Sequence, residues 1–130
     1  MTTKKISIPK LLHYTKDHLW LRQVGQYDYF LGITDFAQKE LGPIASVHLP
    51  SSDNAFRKKT SIGVIFASDK DFTIIPPFSG RIAAINIDLN SYAFRINREP
   101  YVSWLLRITA NKAFSASEFL SSEEYSELIR

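Results

Sequence analysis

A lysine set between two aspartates is the feature of this sequence best placed to carry covalent chemistry. Ser68-Asp69-Lys70-Asp71 separates two short apolar runs, Ile62–Ala67 and Phe72–Ile75, and that spacing predicts a β-hairpin with a charged tip. A lysine held clear of a sheet can offer its amine to a modifying enzyme. It can equally be a solvated turn residue, and turn chemistry alone does not choose. His13, His18 and His48 have neither the spacing nor the accompanying carboxylates of a metal site. His13 and His18, five residues apart, suit neither one helical face nor one strand face, so all three read as surface or structural histidines. Gly25, Gly32, Gly42, Gly63 and Gly80 are isolated, which leaves no glycine-rich loop to cradle a phosphate. With no cysteine, thiolate nucleophiles, zinc–thiolate sites, iron–sulfur ligation and disulfides are excluded. No catalytic constellation emerges from spacing, so an enzyme in its own right is not expected.

The elements that must position the lysine are short. From Tyr14 onward the chain falls into strand-sized pieces: His18–Val24 and Tyr27–Ile33 around Gly25-Gln26, then Ile44–Leu49, the two runs flanking the tip, Arg81–Ile87 and Trp104–Ile108. Thr34-Asp35 opens a helix of about two turns over Phe36–Leu41, with Asp35 expected to accept the free amides of its first turn and Gly42-Pro43 as the stop. Pro76-Pro77 keeps the preceding strand from continuing as a central one. Near the C-terminus Phe119, Tyr125, Leu128 and Ile129 recur at roughly helical spacing, after the candidate caps Ser115 and Ser117. Trp20 and Trp104 lie in apolar strand-like contexts and read as packing residues. Many short strands with two short helices predict a compact β sandwich or flattened barrel.

Composition bounds the partners. The 130 residues are 45% hydrophobic and 22% charged, values of a single folded domain. The formal charge is +3, but Lys4, Lys5, Lys10 and Lys16 all precede the first acid, Asp17. Without them 12 basic residues face 13 acidic ones. The basic character belongs to an N-terminal stretch rather than to a face that could neutralise phosphates, so no nucleic-acid partner is expected. No apolar stretch is long enough to span a membrane, and the N-terminus lacks the apolar centre of a secretory signal. A cytoplasmic monomer is expected, with residues 1–13 as a loose arm and 14–130 as one domain.

Several ordered motifs add to this reading. Tyr14-Thr15-Lys16-Asp17-His18-Leu19-Trp20 resembles the opening signature of the glycine cleavage system H protein family. Gly32-Ile33-Thr34-Asp35-Phe36-Ala37-Gln38 with Leu41-Gly42 resembles its second characteristic segment. Val47-His48-Leu49-Pro50, Pro77-Phe78-Ser79-Gly80-Arg81-Ile82, Pro100-Tyr101 and Trp104-Leu105-Leu106 follow in the family order, and Glu118-Phe119-Leu120 through Tyr125 to Leu128 is similar to its C-terminal helix. The likeness covers about residues 14–129.

The resemblance implies a lipoyl-type β sandwich and a carrier active in glycine catabolism. Lipoate would be attached covalently by an amide bond to a lysine at the hairpin tip. It would shuttle an aminomethyl group from a PLP-dependent glycine decarboxylase to an aminomethyltransferase, with dihydrolipoyl dehydrogenase reoxidising the dithiol and a lipoate ligase or lipoyl transferase installing the arm. Counted without gaps from either side, the family-aligned acceptor position falls on Asp69, which has no amine to acylate. Lys70 is then the candidate attachment residue, and Ser68-Asp69-Lys70 is similar to the acid-lysine tip of acyltransferase lipoyl domains. The alternative is an H-protein-like binding or scaffold module that has lost the acceptor lysine. Two glutamates usual in the family are also replaced here, by Leu19 in the opening motif and by Phe66 or Ala67 before the tip.

Overall fold

The computed structural model describes residues 5–130. Among the described residues nine strands make two antiparallel sheets. The larger contains β1 (His13–Tyr14), β2 (Leu19–Gln23), β3 (Asp28–Ile33), β9 (Leu106–Ala110), β8 (Gly80–Ile85) and β5 (Ala55–Phe56), in that spatial order. The smaller contains β4 (Ile44–His48), β6 (Val64–Ala67) and β7 (Phe72–Thr73). Helix α1 (Asp35–Leu41) links β3 to β4. A 3-10 turn (Ile87–Asn90) and the single-turn α2 (Arg95–Arg98) lie between β8 and β9, and α3 (Ser122–Leu128) closes the chain. Among the described residues no helix is long and apolar enough to cross a membrane.

Alternation decides what each face buries. Leu19 pairs with Ile33 and Leu21 with Leu31 across β2 and β3. These four, with Ile82 and Ile108 from β8 and β9, face Ile44, Val47, Ile65 and Ile74 in one apolar core. Each such side chain, fully buried, contributes roughly 1.5–3 kcal/mol relative to exposure. The residues between them, Trp20 and Phe30, point to the opposite face, where Tyr14, Trp20 and Tyr125 form a second buried cluster under α3. Trp20 is fully buried and donates its indole N–H to the Pro100 carbonyl at 2.9 Å. Gly32 is its cross-strand partner, and a Cβ there would lie 2.5 Å from the indole ring.

Helix α1 is too short to be stable alone; Ala37 and Leu41 anchor it in the core. Its cap is Thr34, whose hydroxyl accepts the Ala37 amide at 3.2 Å, not Asp35 as expected. Asp35 lies inside the first turn, pairs with Lys39 at 2.8 Å and accepts the Ser7 amide at 2.9 Å. The N-terminal stretch is correspondingly not loose over its described part: Tyr101 donates to the Ser7 carbonyl at 2.6 Å, Lys39 to that of Lys5, and His13 is already paired in β1. Ser115 caps only a 3-10 turn, Ala116–Glu118, whereas Ser121 caps α3 through a capping box with Glu124. The last strand begins at Leu106 rather than Trp104, because Trp104 packs beside Phe30 on the outer face.

Two substitutions test this packing in one urea series. Gly32→Ala is expected to lower stability by about 1–3 kcal/mol, since the buried indole has no room to retreat. Tyr29→Phe removes a buried hydroxyl that has no hydrogen-bond partner among the described residues and should leave the midpoint unchanged or raised.

Candidate functional site

The hairpin carrying the lysine is built as the sequence implies, with its apex one residue away from that lysine. β6 and β7 pair Val64 with Thr73 and Ile65 with Phe72. Extending that register places Ser68 and Asp69 at the apex and Lys70 beside it. All four tip residues, Ser68 to Asp71, are exposed. Among the described residues the Lys70 side chain makes no hydrogen bond, and the only salt bridges are Lys39–Asp35 and Arg130–Glu127.

The tip is seated on the C-terminal end of α1. A helix end leaves carbonyls without intrahelical partners. Here the Asp69 amide donates to the Leu41 carbonyl at 3.1 Å and the Ser68 amide to the Pro43 carbonyl at 3.0 Å. Gly42 stands between these carbonyls with φ of 75°, and a Cβ on it would lie 2.8 Å from the Ser68 hydroxyl and 2.9 Å from an Asp69 carboxylate oxygen. Only glycine satisfies both the left-handed backbone and the close approach. Asn97 fixes the same turn from the far side: its side chain donates to the Gly42 carbonyl and to the Gln38 side-chain oxygen Oε1, and accepts the Ile44 amide at 2.8 Å. Sequence reasoning identified Gly42-Pro43 only as a helix stop and missed Asn97 altogether. Asn97 lies more than fifty residues from its partners, and nothing local marks it.

His18 stands at the other end of α1. It adopts φ of 67°, and its ring lies 5.1 Å from that of Phe36. Its Nδ1 is 2.8 Å from the Tyr125 hydroxyl, which lies 2.7 Å from the Thr34 hydroxyl. The cap of α1, the opening motif and α3 thus share one hydrogen-bonded chain. Burial, helped by the Lys70 ammonium, holds His18 below the usual imidazole range, while Asp17 and Glu40 pull it back up. Burial likewise pushes the Tyr125 phenol well up, so it remains protonated. His13 is lowered by burial and packs against Phe119, away from this chain; His48 packs edge-on to Phe66. The three histidines are not brought together.

Leu19 is fully buried in the main core and supplies no polar group to the surface. Two residues earlier, Asp17 lines a cleft of about 410 Å³ together with Lys16, Lys58, Pro76 and Glu118.

Two antiparallel sheets around one apolar core, with an exposed hairpin tip, define a lipoyl-type β sandwich. Comparison with known proteins gives the family. The sequence model of the glycine cleavage H-protein matches residues 12–130. The glycine cleavage system H protein of Chlorobium chlorochromatii is 34% identical over 124 residues, 95% of this chain and 98% of that protein. That of Listeria welshimeri is 36% identical over 121 residues, 92% and 96% of the two chains. The crystal structure of a glycine cleavage system H protein from Mycobacterium marinum superposes with a TM-score of 0.82 at 25% identity, covering 92% of this chain and 97% of that one. The chain belongs to the glycine cleavage H-protein family.

The folded His18 ring binds its proton less readily than an unfolded one, so the unfolded chain takes up more protons as pH falls below about 6.5. The stability held by the neutral ring is therefore complete above that pH and lost as pH falls. An NMR titration should place the His18 midpoint below the ordinary imidazole value. His18→Asn, which tolerates the left-handed backbone, should show a shallower loss of stability between neutral and mildly acidic pH; an unchanged slope would contradict the assignment.

Proposed function

We propose that this protein is a lipoyl carrier of the glycine cleavage system, with Lys70 as the attachment residue. The observation that carries the reading is the state of that amine: exposed beside the apex of a seated hairpin and free of ion pairs among the described residues. Lipoate needs a lysine amine that a ligase can reach, and Lys70 fits that requirement whereas Asp69 does not. Acylation by the adenylate that a ligase makes from lipoate and ATP would join the lipoyl carboxyl carbon to Nζ as an amide, breaking the acyl C–O bond so that AMP leaves, while the attacking neutral amine loses a proton. Once attached, the group supplies a disulfide that accepts a one-carbon unit and two electrons and yields them again. The chain's own part is to hold the attachment point still and exposed, so that one arm reaches successive active sites at high local concentration.

On this reading the partners are a PLP-dependent glycine decarboxylase, an aminomethyltransferase, dihydrolipoyl dehydrogenase and the enzyme that installs the arm, and the work is done in the cytoplasm. Asp17 is the carboxylate of the opening motif and lines the cleft beside β1, whereas Leu19 is turned into the core.

A second reading is favoured by the apex itself. The position in register with the tip is Asp69, tied by its amide to α1, and a module that merely binds a partner needs no amine there. Incubation with a lipoate ligase and ATP, read by intact mass and peptide mapping with the Listeria welshimeri H protein as a parallel substrate, separates the two. The carrier reading expects one lipoyl adduct on Lys70, lost in Lys70→Ala with a stability change within about 0.5 kcal/mol. No adduct while the parallel substrate is modified, or an adduct that persists on Lys58 or Lys59, defeats it. Acylation removes the Lys70 charge, so it should also raise the His18 midpoint slightly.

A further inference from the structure

The segment between β8 and β9 carries side chains that the lysine, its seat and the core leave unused. Tyr92 and Phe94 are 46% and 45% exposed, and Val102 is 66% exposed. The Arg95 guanidinium stacks 4.6 Å from the Tyr92 ring centre and that of Arg98 5.1 Å from Phe94. Neither arginine has a carboxylate within salt-bridge distance among the described residues, although Asp88 and Glu99 border the same hollow of about 600 Å³. Exposed aromatic and arginine side chains of this kind are the groups that most often dominate protein–protein contacts.

Position gives this patch its meaning. Phe94 and Arg98 also wall a second, shallower groove whose other side includes Gly42 and Pro43. Pro43 and Leu41 supply the carbonyls that hold the tip, so Phe94 and Arg98 of the patch border the turn on which the tip is seated. Partners that meet a loaded arm are reached across its length and can dock at a distance. The enzyme that installs the arm must instead bring its acyl carbon to bonding distance of Nζ, and so must cover the surface next to the tip.

We infer that Tyr92, Phe94, Arg95 and Arg98 form the docking surface for the acylating enzyme, which meets the two guanidinium groups with carboxylates around an apolar contact. The inference rests on Lys70 being the acceptor, but its test does not require Lys70 to react. Lys70→Arg keeps the surface and cannot be acylated under the same conditions as lysine. It is used as an inhibitor of the ATP-dependent lipoylation of the Listeria welshimeri H protein by a lipoate ligase, at low and at high salt. Lys70→Arg should inhibit, and less so as salt rises. Adding Arg95→Glu with Arg98→Glu, or separately Phe94→Ser, should weaken inhibition by about tenfold; melting curves check that the variants are folded. In the Lys70 chain the same charge reversal should raise KM for the carrier with kcat unchanged.

Equal inhibition by the parent and charge-reversed chains, or none by either, would overturn the docking surface. Salt-sensitive self-association, or single-stranded DNA binding, abolished by the same reversal would overturn it in favour of a second copy or of nucleic acid. A wild-type chain that inhibits through these residues yet takes up no lipoate would defeat Lys70 as acceptor and leave the surface standing.

Discussion

The display of any group at this hairpin depends on two hydrogen bonds at the end of a seven-residue helix. The carbonyl of Leu41 would need water or a cap at an ordinary helix terminus, and that of Pro43 lies just past the cap. Here they receive the amides of Asp69 and Ser68. One interaction therefore satisfies the helix end and stops the hairpin from swinging. Gly42 is its geometric condition, because its left-handed backbone turns the chain away and its missing Cβ leaves room for the Ser68 and Asp69 side chains. Asn97 then locks the glycine by bonding three backbone or side-chain groups around it. A tip held this way keeps its backbone in one place, which is what the carrier reading requires.

The far end of α1 is held by a different chemistry. Thr34 caps the helix and also bonds Tyr125, which bonds His18. The opening motif and the C-terminal helix are over one hundred residues apart in sequence, and this chain makes them neighbours. Tyr14 stacks on Tyr125 at 4.9 Å, and Tyr101, pushed up to about 12 mainly by burial, stays protonated to bond the N-terminal strap at Ser7. The helix is thereby clamped at both termini, and Asp35 ties the strap along its side. Burial opposes ionisation of Asp35, yet Lys39, the Ser7 amide and Gln38 together hold its carboxyl below the usual carboxylate range. Rigid placement of α1 is thus shared between a polar network on one side and the main core on the other.

Much of this was legible because local chemistry and tertiary structure agree. The apolar runs around Ser68-Asp69-Lys70-Asp71 became β6 and β7, and Gly42-Pro43 ended α1 where expected. Trp20, read as a packing residue, is fully buried. What escaped lacked a local signal. Thr34 and Asp35 are both good caps, and the choice was made by distant partners, Tyr125 and Ser7. His13–Tyr14 is too short to read as a strand without knowing that Leu21 and Trp20 lie opposite. The stretch 87–102 has neither period, so α2 and the Phe94–Arg98 surface were not visible as elements. Asn97 became important only through contacts with residues 38 to 44.

The one-residue displacement of the amine from the apex is the point on which the carrier reading has to stand physically. Within a ladder, a slip of one residue turns a side chain to the opposite face and would be decisive. Beyond the last observed pair, Ile65 with Phe72, that rule weakens, since turn residues are not held to the pleat. A displacement of one residue moves the attachment point by about 3.3 Å. That distance is small beside the reach of a lysine bearing a flexible acyl chain, so the local concentration of the cargo at a partner site changes little. The acylating enzyme is less tolerant, because it must meet the bare amine at bonding distance and before any arm exists. On the carrier reading, an acceptor at Lys70 beside the apex would therefore bear on installation of the arm far more than on shuttling.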